Sequence, residues 1–417
     1  MSVALLSLLA LVAVIVVSCF SPINIGFLSV ALAFLIGHFL GELPVRTIVA
    51  GFPASLFLTL TGITLLFAQA RANGTLEKVA GHAVRLARGN AGMIPIVFFV
   101  LGAGLATIGA GNIAAAALLA PVAMGIAGQA GIPGFLMAVM LANGANAGGL
   151  SPLAPTGIIA QDLMARAGMP GAGWNNFFNT LAAQSFVAFA GYSLFGGIAL
   201  LRRGSGQDAG AIPSTRPTPL GGEQRLTLAV IGALILSAVL FRVDVGMGAF
   251  VGAAILSLAR AADEEQAIKS MPWGVILMVS GVTVLVEVLA KTGGLDLFTQ
   301  LLARLSGPTY VPGVIALVTG VISVYSSSSG VVLPTFLPTI PGLVEKLGGG
   351  NPLMIAYSIN VGSHLVDVSP LSTLGALCLA VAAPQEDRSA LFRKLMAWGW
   401  SMAVVGAIVC QLFFGYR

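Results

Sequence analysis

The chain has 417 residues, of which 57% are hydrophobic and only 8% are charged, and its formal net charge is +5. Soluble globular proteins carry about 25% charged residues, so this composition excludes an ordinary soluble domain. The basic residues are scattered over short loops between apolar runs, which argues against a nucleic-acid surface. We therefore expect an all-α polytopic membrane protein.

The first half of the chain, residues 1–201, opens with three apolar segments that are long enough to cross a bilayer as helices. These predicted spans are residues 3–18, 24–40 and 53–70. A short amphipathic segment follows, and we expect it to lie along the membrane interface. Its apolar face consists of Leu76, Val79, Ala83 and Leu86.

Two interrupted runs and a final span at 176–201 complete the first half. An apolar run at about 92–127 is broken by "GAGNIA" (109–114), and another at about 134–167 is broken by "GGLSPLAPTG" (148–157). Each arm of the first run is too short to cross the bilayer, which predicts a re-entrant helical hairpin. Non-helical backbone at this depth is tolerated only inside protein or along a wet cavity.

The second half, residues 223–417, repeats this order after a Pro-, Gly- and Ser-rich stretch at 202–222 that we interpret as a cytoplasmic linker. Its predicted elements are spans 224–241, 246–260 and 272–290, an amphipathic face of Leu295, Phe298, Leu301 and Leu305, a hairpin at about 310–343 around "SSSSG" (326–330), a broken helix at about 352–383 around "GSHLVDVSPLSTLG" (362–375), and a span at 396–413.

Matching residues recur at a nearly constant offset between the halves. Pro272 follows Pro53 by 219 positions (272 − 53 = 219), and Ser369 follows Ser151 by 218 (369 − 151 = 218). Five crossings per half would turn the second copy upside down relative to the first. The sequence thus predicts two inverted repeats of five transmembrane helices, each with one re-entrant hairpin, which is the layout of secondary transporters.

The distribution of basic residues predicts the orientation. Cytoplasmic loops carry an excess of Lys and Arg. Most of the 20 basic residues fall in loops that would be cytoplasmic if both termini faced outward. We therefore expect periplasmic or extracellular N- and C-termini.

The interrupted runs collect polar groups that could hold a small ion. Helix breaks expose N–H groups that attract anions, and carbonyls and hydroxyls that coordinate a hard cation such as sodium. Facing each other across a twofold axis, the two sets would surround one ligand. They are Asn112, Ser151, Pro152, Pro155 and Thr156 in the first half, and Ser326, Ser327, Ser328, Ser329, Ser363, His364, Asp367, Ser369, Ser372 and Thr373 in the second.

His364 and Asp367 stand out because ionisable residues inside membrane segments are usually functional. They are three positions apart, so they could pair on one face if that segment is helical. Two interpretations stay open: a mutually satisfied structural pair, or a carboxylate at Asp367 that supplies a cation ligand or carries a coupled proton.

The two hairpin tips, together with "GGLSPLAPTG" and "DVSPLSTLGA", resemble the ion-transporter superfamily that includes the divalent-anion/sodium symporters, and most of all the MatC-type malonate and C4-dicarboxylate carriers. The resemblance covers nearly the whole chain. It implies a homodimeric elevator transporter in a bacterial inner membrane, whose transport domain of hairpins and broken helices slides against a scaffold domain. It also implies a malonate- or succinate-like substrate, sodium as coupling ion, with a proton as the other option, and no further cofactor.

Family members bind substrate between two Ser-Asn-Thr tips, with sodium ions beside each. This chain departs from that signature, since its tips read Gly-Asn-Ile at 111–113 and Ser-Ser-Gly at 328–330. Carried over by position, the resemblance implies a substrate set of Asn112, Pro155, Thr156, Ser328, Ser329, Ser372 and Thr373. The implied cation set is Gly111, Asn112, Ala145, Asn146, Gly148, Ser151, Ser328, Ser329, Gly362, Ser363, His364, Asp367 and Ser369.

Other functions are also compatible with the pattern. The same fold could serve a proton-coupled or exchange carrier, or an exporter, of another organic anion such as a sulfonate or tricarboxylate. An intramembrane enzyme would need a nucleophile beside a base, or a metal cluster. Of the three histidines only His364 lies near a helix break, so we expect no enzyme. Paired hairpins favour alternating access over a channel.

Overall fold

The computed structural model describes residues 2–21, 23–84, 90–202, 219–241 and 243–415. Regular secondary structure in these residues is entirely helical, which confirms the predicted all-α class. Most of the predicted linker at 202–222 lies outside the described residues, so its predicted character is not addressed by the structure.

Three long helices open the first half, close to the predicted spans. The elements up to the first interrupted run are α1 (Val3–Phe20), α2 (Ile25–Phe34, continued by a π-helical segment Leu35–Leu40), α3 (Val45–Ala50), α4 (Ala54–Ala72) and α5 (Thr75–Val84). Polar caps set two of the starts: Ser2 accepts from the amide of Leu5, and Asn24 from that of Gly26. The amphipathic segment forms α5, although Leu86 falls outside the described residues.

The rest of the first half contains the interrupted runs and a long closing helix. These elements are α6 (Met93–Leu105), a π-helical turn (Ala106–Ala110), α7 (Gly111–Gln129), α8 (Gly134–Gly149), α9 (Pro155–Arg166), α10 (Gly173–Leu194) and α11 (Gly197–Arg202). Every residue of α8 is buried. A helix that is buried on every side belongs to the centre of a bundle.

The second half follows the same order. Its elements are α12 (Gly222–Phe241), α13 (Val245–Leu258), α14 (Glu264–Ser270), α15 (Trp273–Thr292), α16 (Gly294–Arg304), α17 (Val311–Ser323), a π-helical turn (Ser328–Val332), α18 (Leu333–Phe336), a 3₁₀ turn (Leu337–Thr339), α19 (Ile340–Leu347), α20 (Pro352–Leu365), α21 (Thr373–Ala380) and α22 (Arg388–Phe414). As α8 does in the first half, α20 lies deep in the protein.

Several helices are long and apolar enough to cross a membrane. Among the described residues, α1, α4, the run of α6 and α7, α15 and α22 meet this criterion, and α17 with the helical run after it would add one more if taken as a single span. Helix α2 with its π-helical segment and helix α13 are apolar but shorter. Large apolar side chains such as Phe27, Phe186 and Leu258 are exposed on the outer surface, as lipid contact requires. The protein is a multi-pass membrane protein.

The two hairpins bend by different means. At the first, Gly109 and Gly111 take φ values of 125° and 78°, a region that side chains disfavour and glycine adopts freely. At the second, α17 and the following helical run meet at 120°. There the Ser327 hydroxyl accepts from the amide of Gly330 and so caps the new turn. Both breaks fall within the predicted polar sequences.

The two broken spans share a turn design. Helix α8 ends at Gly149 and α9 starts at Pro155, while α20 ends at Leu365 and α21 starts at Thr373. In the first turn the Ser151 hydroxyl accepts from the amide of Leu153 at 3.2 Å, and in the second turn Ser369 accepts from Leu371 at 3.3 Å. The repeated Ser-Pro-Leu sequence therefore builds the same local turn twice.

Glycines at matching positions interlock the halves. A side chain at Gly26 on α2 would overlap the backbone of Leu277 on α15, and one at Gly246 on α13 would lie 2.5 Å from the Cα of Thr59 on α4. Helix α2 of the first half thus packs closely on the second half, and α13 of the second half packs on the first. Such reciprocal contacts agree with the predicted duplication, and small residues are what allow helix backbones to approach this closely.

Candidate functional site

Tip one, residues 106–113, presents Asn112 to the interior. Its side chain is 6% exposed. The amide nitrogen donates to Asn146 Oδ1 at 2.8 Å, and the amide oxygen accepts from the Thr156 hydroxyl at 3.2 Å. Asn112 therefore joins the hairpin tip to both arms of the broken span in its own half.

Asn146 connects the two halves of the protein. Besides accepting from Asn112, it donates through Nδ2 to the His364 carbonyl at 2.9 Å and to Asp367 Oδ2 at 3.3 Å. The buried end of α8 thus meets the end of α20. A network of buried polar groups that are each partnered fixes one arrangement of the elements that carry them.

Tip two, residues 324–330, meets the same network through Ser328. Its hydroxyl lies 2.6 Å from Asp367 Oδ1, 3.0 Å from the Ser363 carbonyl and 2.6 Å from the Ser323 hydroxyl. Since a hydroxyl has one proton and a carboxylate is the stronger acceptor, Ser328 donates to Asp367 and accepts from Ser323. Tip two is therefore bonded to the broken span of its own half.

Asp367 is the centre of the second-half site. It is 5% exposed and accepts from Ser328, from Asn146 and from the Ser372 hydroxyl at 3.2 Å. Among the described residues no Lys or Arg forms an ion pair with it. A carboxylate that is buried with hydroxyl and amide donors, and with no Lys or Arg paired to it, carries a high cost of desolvation when it is charged.

His364 and Asp367, which their spacing allowed to pair, form no direct hydrogen bond or ion pair within the described residues, and the role of each stays a prediction. His364 Nδ1 lies 2.8 Å from the Asn360 carbonyl and 3.1 Å from the Ser363 hydroxyl, and no ion pair joins it to Asp367 in the described part of the chain. The reason is that α20 ends at Leu365, so Asp367 lies in the turn beyond the helix. His364 Nε2 is buried and has no hydrogen-bond partner among the described residues.

Both tips line one small cleft, which we call the tip cleft. Its lining comprises Asn112 and Ile113 from tip one, Ser327, Ser328 and Ser329 from tip two, and Asp367, Ser372, Thr373 and Leu374 from the second broken span. Five of the residues in the predicted substrate set are therefore brought together: Asn112, Ser328, Ser329, Ser372 and Thr373. The amide, the hydroxyls and the carboxylate make this cleft polar in an apolar protein.

A larger cavity of about 120 Å³ lies on the other side of tip one. We call it the vestibule. Its lining includes Leu60 and Arg71 on α4, Asn112 at tip one, Thr156 on α9 and Ile276 on α15. The two remaining predicted substrate residues, Pro155 and Thr156, and the predicted cation residue Gly111 line the vestibule rather than the tip cleft.

The other predicted cation residues lie in the buried packing behind the tips. A side chain at Gly148 would overlap the carbonyl of Ala103, and one at Gly362 would lie 2.7 Å from the Cα of Ala316, so both glycines are needed for hairpin packing. Ala145 is fully buried on α8. One carbonyl at these helix ends, that of His364, accepts from the Asn146 side chain at 2.9 Å.

Ser151 and Ser369 lie outside the lining of the tip cleft. Each hydroxyl accepts an amide of its own turn, and Ser369 also donates to the Val324 carbonyl at 3.0 Å. Ser369 therefore attaches tip two to the broken span. These contacts show a structural contribution, and a cation-binding role for either serine stays a prediction.

Sequence reasoning missed two buried asparagines, Asn143 and Asn360. Each Nδ2 bonds the carbonyl four residues earlier, and each Oδ1 is buried without a partner among the described residues. They are related by an offset of 217 (360 − 143 = 217). Both asparagines lie in apolar helices close to a helix break, and they recur at the offset of the repeat. That recurrence could have identified their side-chain oxygens as further polar groups near the breaks.

Comparison with known proteins agrees with this architecture. Residues 1–149, which end where α8 ends, match the family described as "Dicarboxylate carrier protein MatC N-terminus". The structure of the Alcanivorax borkumensis YdaH transporter is similar in fold, with a TM-score of 0.61 at 16% sequence identity over 89% of this chain and 88% of that one. No curated protein shows significant sequence similarity to this chain.

These findings confirm the resemblance that the helix-break motifs predicted. The family match includes tip one and helix α8, which is the first arm of the first broken span. The structural similarity extends over both halves of the chain. Residues 1–149 are thus similar to the MatC N-terminal family, and the chain as a whole has a fold similar to that of the YdaH structure.

Proposed function

We propose that this protein is a secondary active transporter of a small dicarboxylate such as malonate or succinate, coupled to sodium. The observation that supports this most directly is the polar network at the centre of the fold. Through Asn112, Asn146, Asp367 and Ser328, it connects both hairpin tips to both broken helices. A solute-binding site at the interface of two repeats is the arrangement on which alternating access depends.

The charges around the tip cleft support a coupled anion. No Lys or Arg is among its described lining residues, and its one charged residue is Asp367. A dicarboxylate placed there would meet hydroxyls and an amide but also a negative charge. Sodium bound beside Asp367 would supply the missing positive charge, using the oxygen ligands that hard cations prefer. Coupling would then follow from electrostatics, because neither ion binds well without the other.

The match to the dicarboxylate carrier family supports this substrate class. The elevator motion, the homodimer and the inner-membrane location are parts of the same proposal. Helices α8 and α20, buried with the hairpins, would move as the transport domain. The glycine-packed contacts of α2 with α15 and of α4 with α13 would belong to the scaffold.

A second candidate is a proton-coupled or exchange carrier of another organic anion, such as a sulfonate or a tricarboxylate. The buried carboxylate of Asp367 supports this second candidate, because such a carboxylate can accept a proton as well as a sodium ion. The cleft alone does not separate the two coupling ions, so transport assays must do so.

The direct test is uptake of radiolabelled malonate and succinate into proteoliposomes that contain the purified protein. Sodium and proton gradients are imposed separately and together. We expect sodium-dependent accumulation of at least one of the two substrates. If neither dicarboxylate is carried or competes with a carried anion, the proposed substrate class is wrong. If a proton gradient alone drives uptake, the coupling ion is a proton rather than sodium, as in the second candidate.

A further inference from the structure

The vestibule contains a charged group that the proposed binding site does not use. Arg71 is exposed at the last turn of α4, and it is the single charged residue among the described residues that line the vestibule. The rest of the lining is apolar or hydroxyl-bearing, apart from the amide of Asn112. A lone cation at the mouth of a cavity with low-dielectric walls focuses a positive potential into that cavity.

The wall between Arg71 and the tip follows one face of α4. Leu60, Thr64, Phe67 and Arg71 line it at helical spacing. From Leu60 to Arg71 the helix rises by roughly 16 Å, at about 1.5 Å per residue. Asn112 and Thr156, which both belong to the proposed substrate set, line the same cavity. An anion that enters past Arg71 therefore reaches tip one within a single continuous space.

No described carboxylate forms an ion pair with Arg71, although Glu77 lies near enough to interact with it electrostatically. Burial raises the pKa of the Glu77 carboxyl on α5 and the nearby Arg71 opposes that rise, but the two do not form an ion pair within the described residues. Lys269, next to the lining residue Ser270, is bound to Glu265 at 2.6 Å. The exposed guanidinium of Arg71 is thus not held in an ion pair within the described residues.

The second half has no equivalent cation. At the offset of 219, the position that corresponds to Arg71 is Ala290 (71 + 219 = 290). The adjacent Lys291 forms an ion pair with Glu287 at 3.4 Å. The two faces of the protein therefore differ in charge although their helices correspond.

We propose that Arg71 recruits the anionic substrate at the mouth of the vestibule, on the face that the basic residues predict to be cytoplasmic, and that the opposite face has no such group. This inference rests on the proposed function for the identity of the anion. It makes Arg71 a positioning residue that acts before the substrate reaches the tips. The consequence is sidedness: the carrier captures dilute anion better from one face than from the other.

The first test measures the potential of the vestibule without any substrate. Ala117, which lines the vestibule, is changed to Cys in a Cys19→Ser background. The thiol is then labelled with a negatively charged sulfonatoethyl and a positively charged trimethylammonioethyl methanethiosulfonate. We expect Arg71→Gln to lower the labelling rate of the anionic reagent relative to that of the cationic reagent by about tenfold. Tenfold is the low end of the rate increase that electrostatic steering provides. High salt should reduce that difference.

Two matched variants control this measurement. Arg71→Lys retains the positive charge and should preserve most of the rate ratio. Lys291→Gln removes the cation beside Ala290, the position that corresponds to Arg71, and should leave the ratio unchanged. An unchanged ratio in Arg71→Gln, or an equal fall in Lys291→Gln, would overturn the inference.

The second test measures sidedness of transport. In right-side-out and inside-out vesicles, Arg71→Gln should raise the half-saturating malonate or succinate concentration about tenfold from the α4 C-terminal face and leave it unchanged from the other face. An equal change on both faces contradicts recruitment by Arg71. If the wild-type protein carries neither dicarboxylate, the proposed function fails, while the thiol-labelling result still decides the role of Arg71.

Discussion

Tip one and tip two lie against the same cleft but place their polar groups in opposite ways. In the first half the polar side chain belongs to the hairpin, as Asn112, and the facing residue of the broken span is Gly149. A side chain there would lie 2.9 Å from Asn112 Cβ. In the second half the hairpin supplies the short Ser328, and the broken span supplies Asp367. At the offset of 218, Gly149 corresponds to Asp367 (149 + 218 = 367).

The exchange shows how two corresponding halves can present unlike polar groups to one cleft. In each half, one of the two facing positions carries a longer polar side chain and the other carries a small residue. The longer side chain lies on the hairpin in the first half and on the broken span in the second half. As a result the first-half site is neutral and the second-half site carries a carboxylate. Substrate and coupling cation would then be held by chemically distinct sides of one cleft.

The largest expected effect comes from removing the charge of the second half. Asp367→Asn keeps the size of the side chain but replaces an acceptor of three hydrogen bonds. We expect uptake to fall on the order of 100-fold, since a buried charged hydrogen bond contributes about 1.5–3 kcal/mol. We also expect the dependence on sodium or protons to change. Gradient-driven uptake into proteoliposomes measures both.

The matched control is Asp162→Asn, which removes a more exposed carboxylate that is paired with Arg166. Its uptake should stay near that of the wild type, because exposed ion pairs contribute little. If Asp367→Asn kept the wild-type cation dependence, the carboxylate would have no place in coupling and the two halves would be equivalent in this respect.

A smaller effect is expected at the tip of the first half. Asn112→Ala removes the bonds to Asn146 and Thr156 and leaves the Thr156 hydroxyl without its acceptor. We expect the half-saturating substrate concentration to rise about tenfold, equivalent to roughly 1.4 kcal/mol. Competition between labelled and unlabelled dicarboxylate provides the measurement.

Ser329→Ala is the companion variant, because Ser329 corresponds to Asn112 at an offset of 217 (329 − 112 = 217). Within the described part of the chain its hydroxyl makes no side-chain hydrogen bond of the kind that Asn112 makes, so a weaker loss is expected. Equal losses in both variants would show that the two tips contribute alike, against the exchange described above.

The third prediction concerns the stability of tip one. Gly111 has a φ of 78°, and a side chain there would also lie 3.0 Å from the Pro155 ring. Gly111→Ala should lower the free energy of unfolding by about 1–3 kcal/mol, the cost of a strained left-handed residue. Thermal unfolding in detergent reports it. Gly125→Ala on α7, where a new methyl group meets nothing within 4 Å, should be neutral or slightly stabilising; a similar loss there would remove strain as the explanation.

The smallest effect is expected at the outer side of tip two. The Ser326 hydroxyl lies 2.8 Å from the Ser18 hydroxyl on α1, away from the tip-cleft lining. Ser326→Ala should cost about 1 kcal/mol of stability, as for one neutral hydrogen bond, and leave the half-saturating substrate concentration unchanged. A transport defect as large as that of Ser328→Ala would show that the four serines act as one unit.

Much of the architecture could be predicted from local patterns in the sequence. Apolar length identified the spans, and Pro, Gly and Ser clusters placed the helix breaks within a few residues of Gly111 and Ser328. The repeated Ser-Pro-Leu motif indicated that Ser151 and Ser369 occupy equivalent turns. These properties depend on backbone propensity and hydrophobicity, which residues close in sequence determine.

The contacts at the centre were decided by the tertiary structure. The sequence by itself established a polytopic helical protein with two corresponding halves and polar breaks. It could not show that Asn146 bonds the His364 carbonyl more than 200 positions away, that Asp367 takes Ser328 rather than His364 as its partner, or that Arg71 opens onto the cavity of Asn112. Partners across such distances depend on how whole helices pack, and no local periodicity records that arrangement.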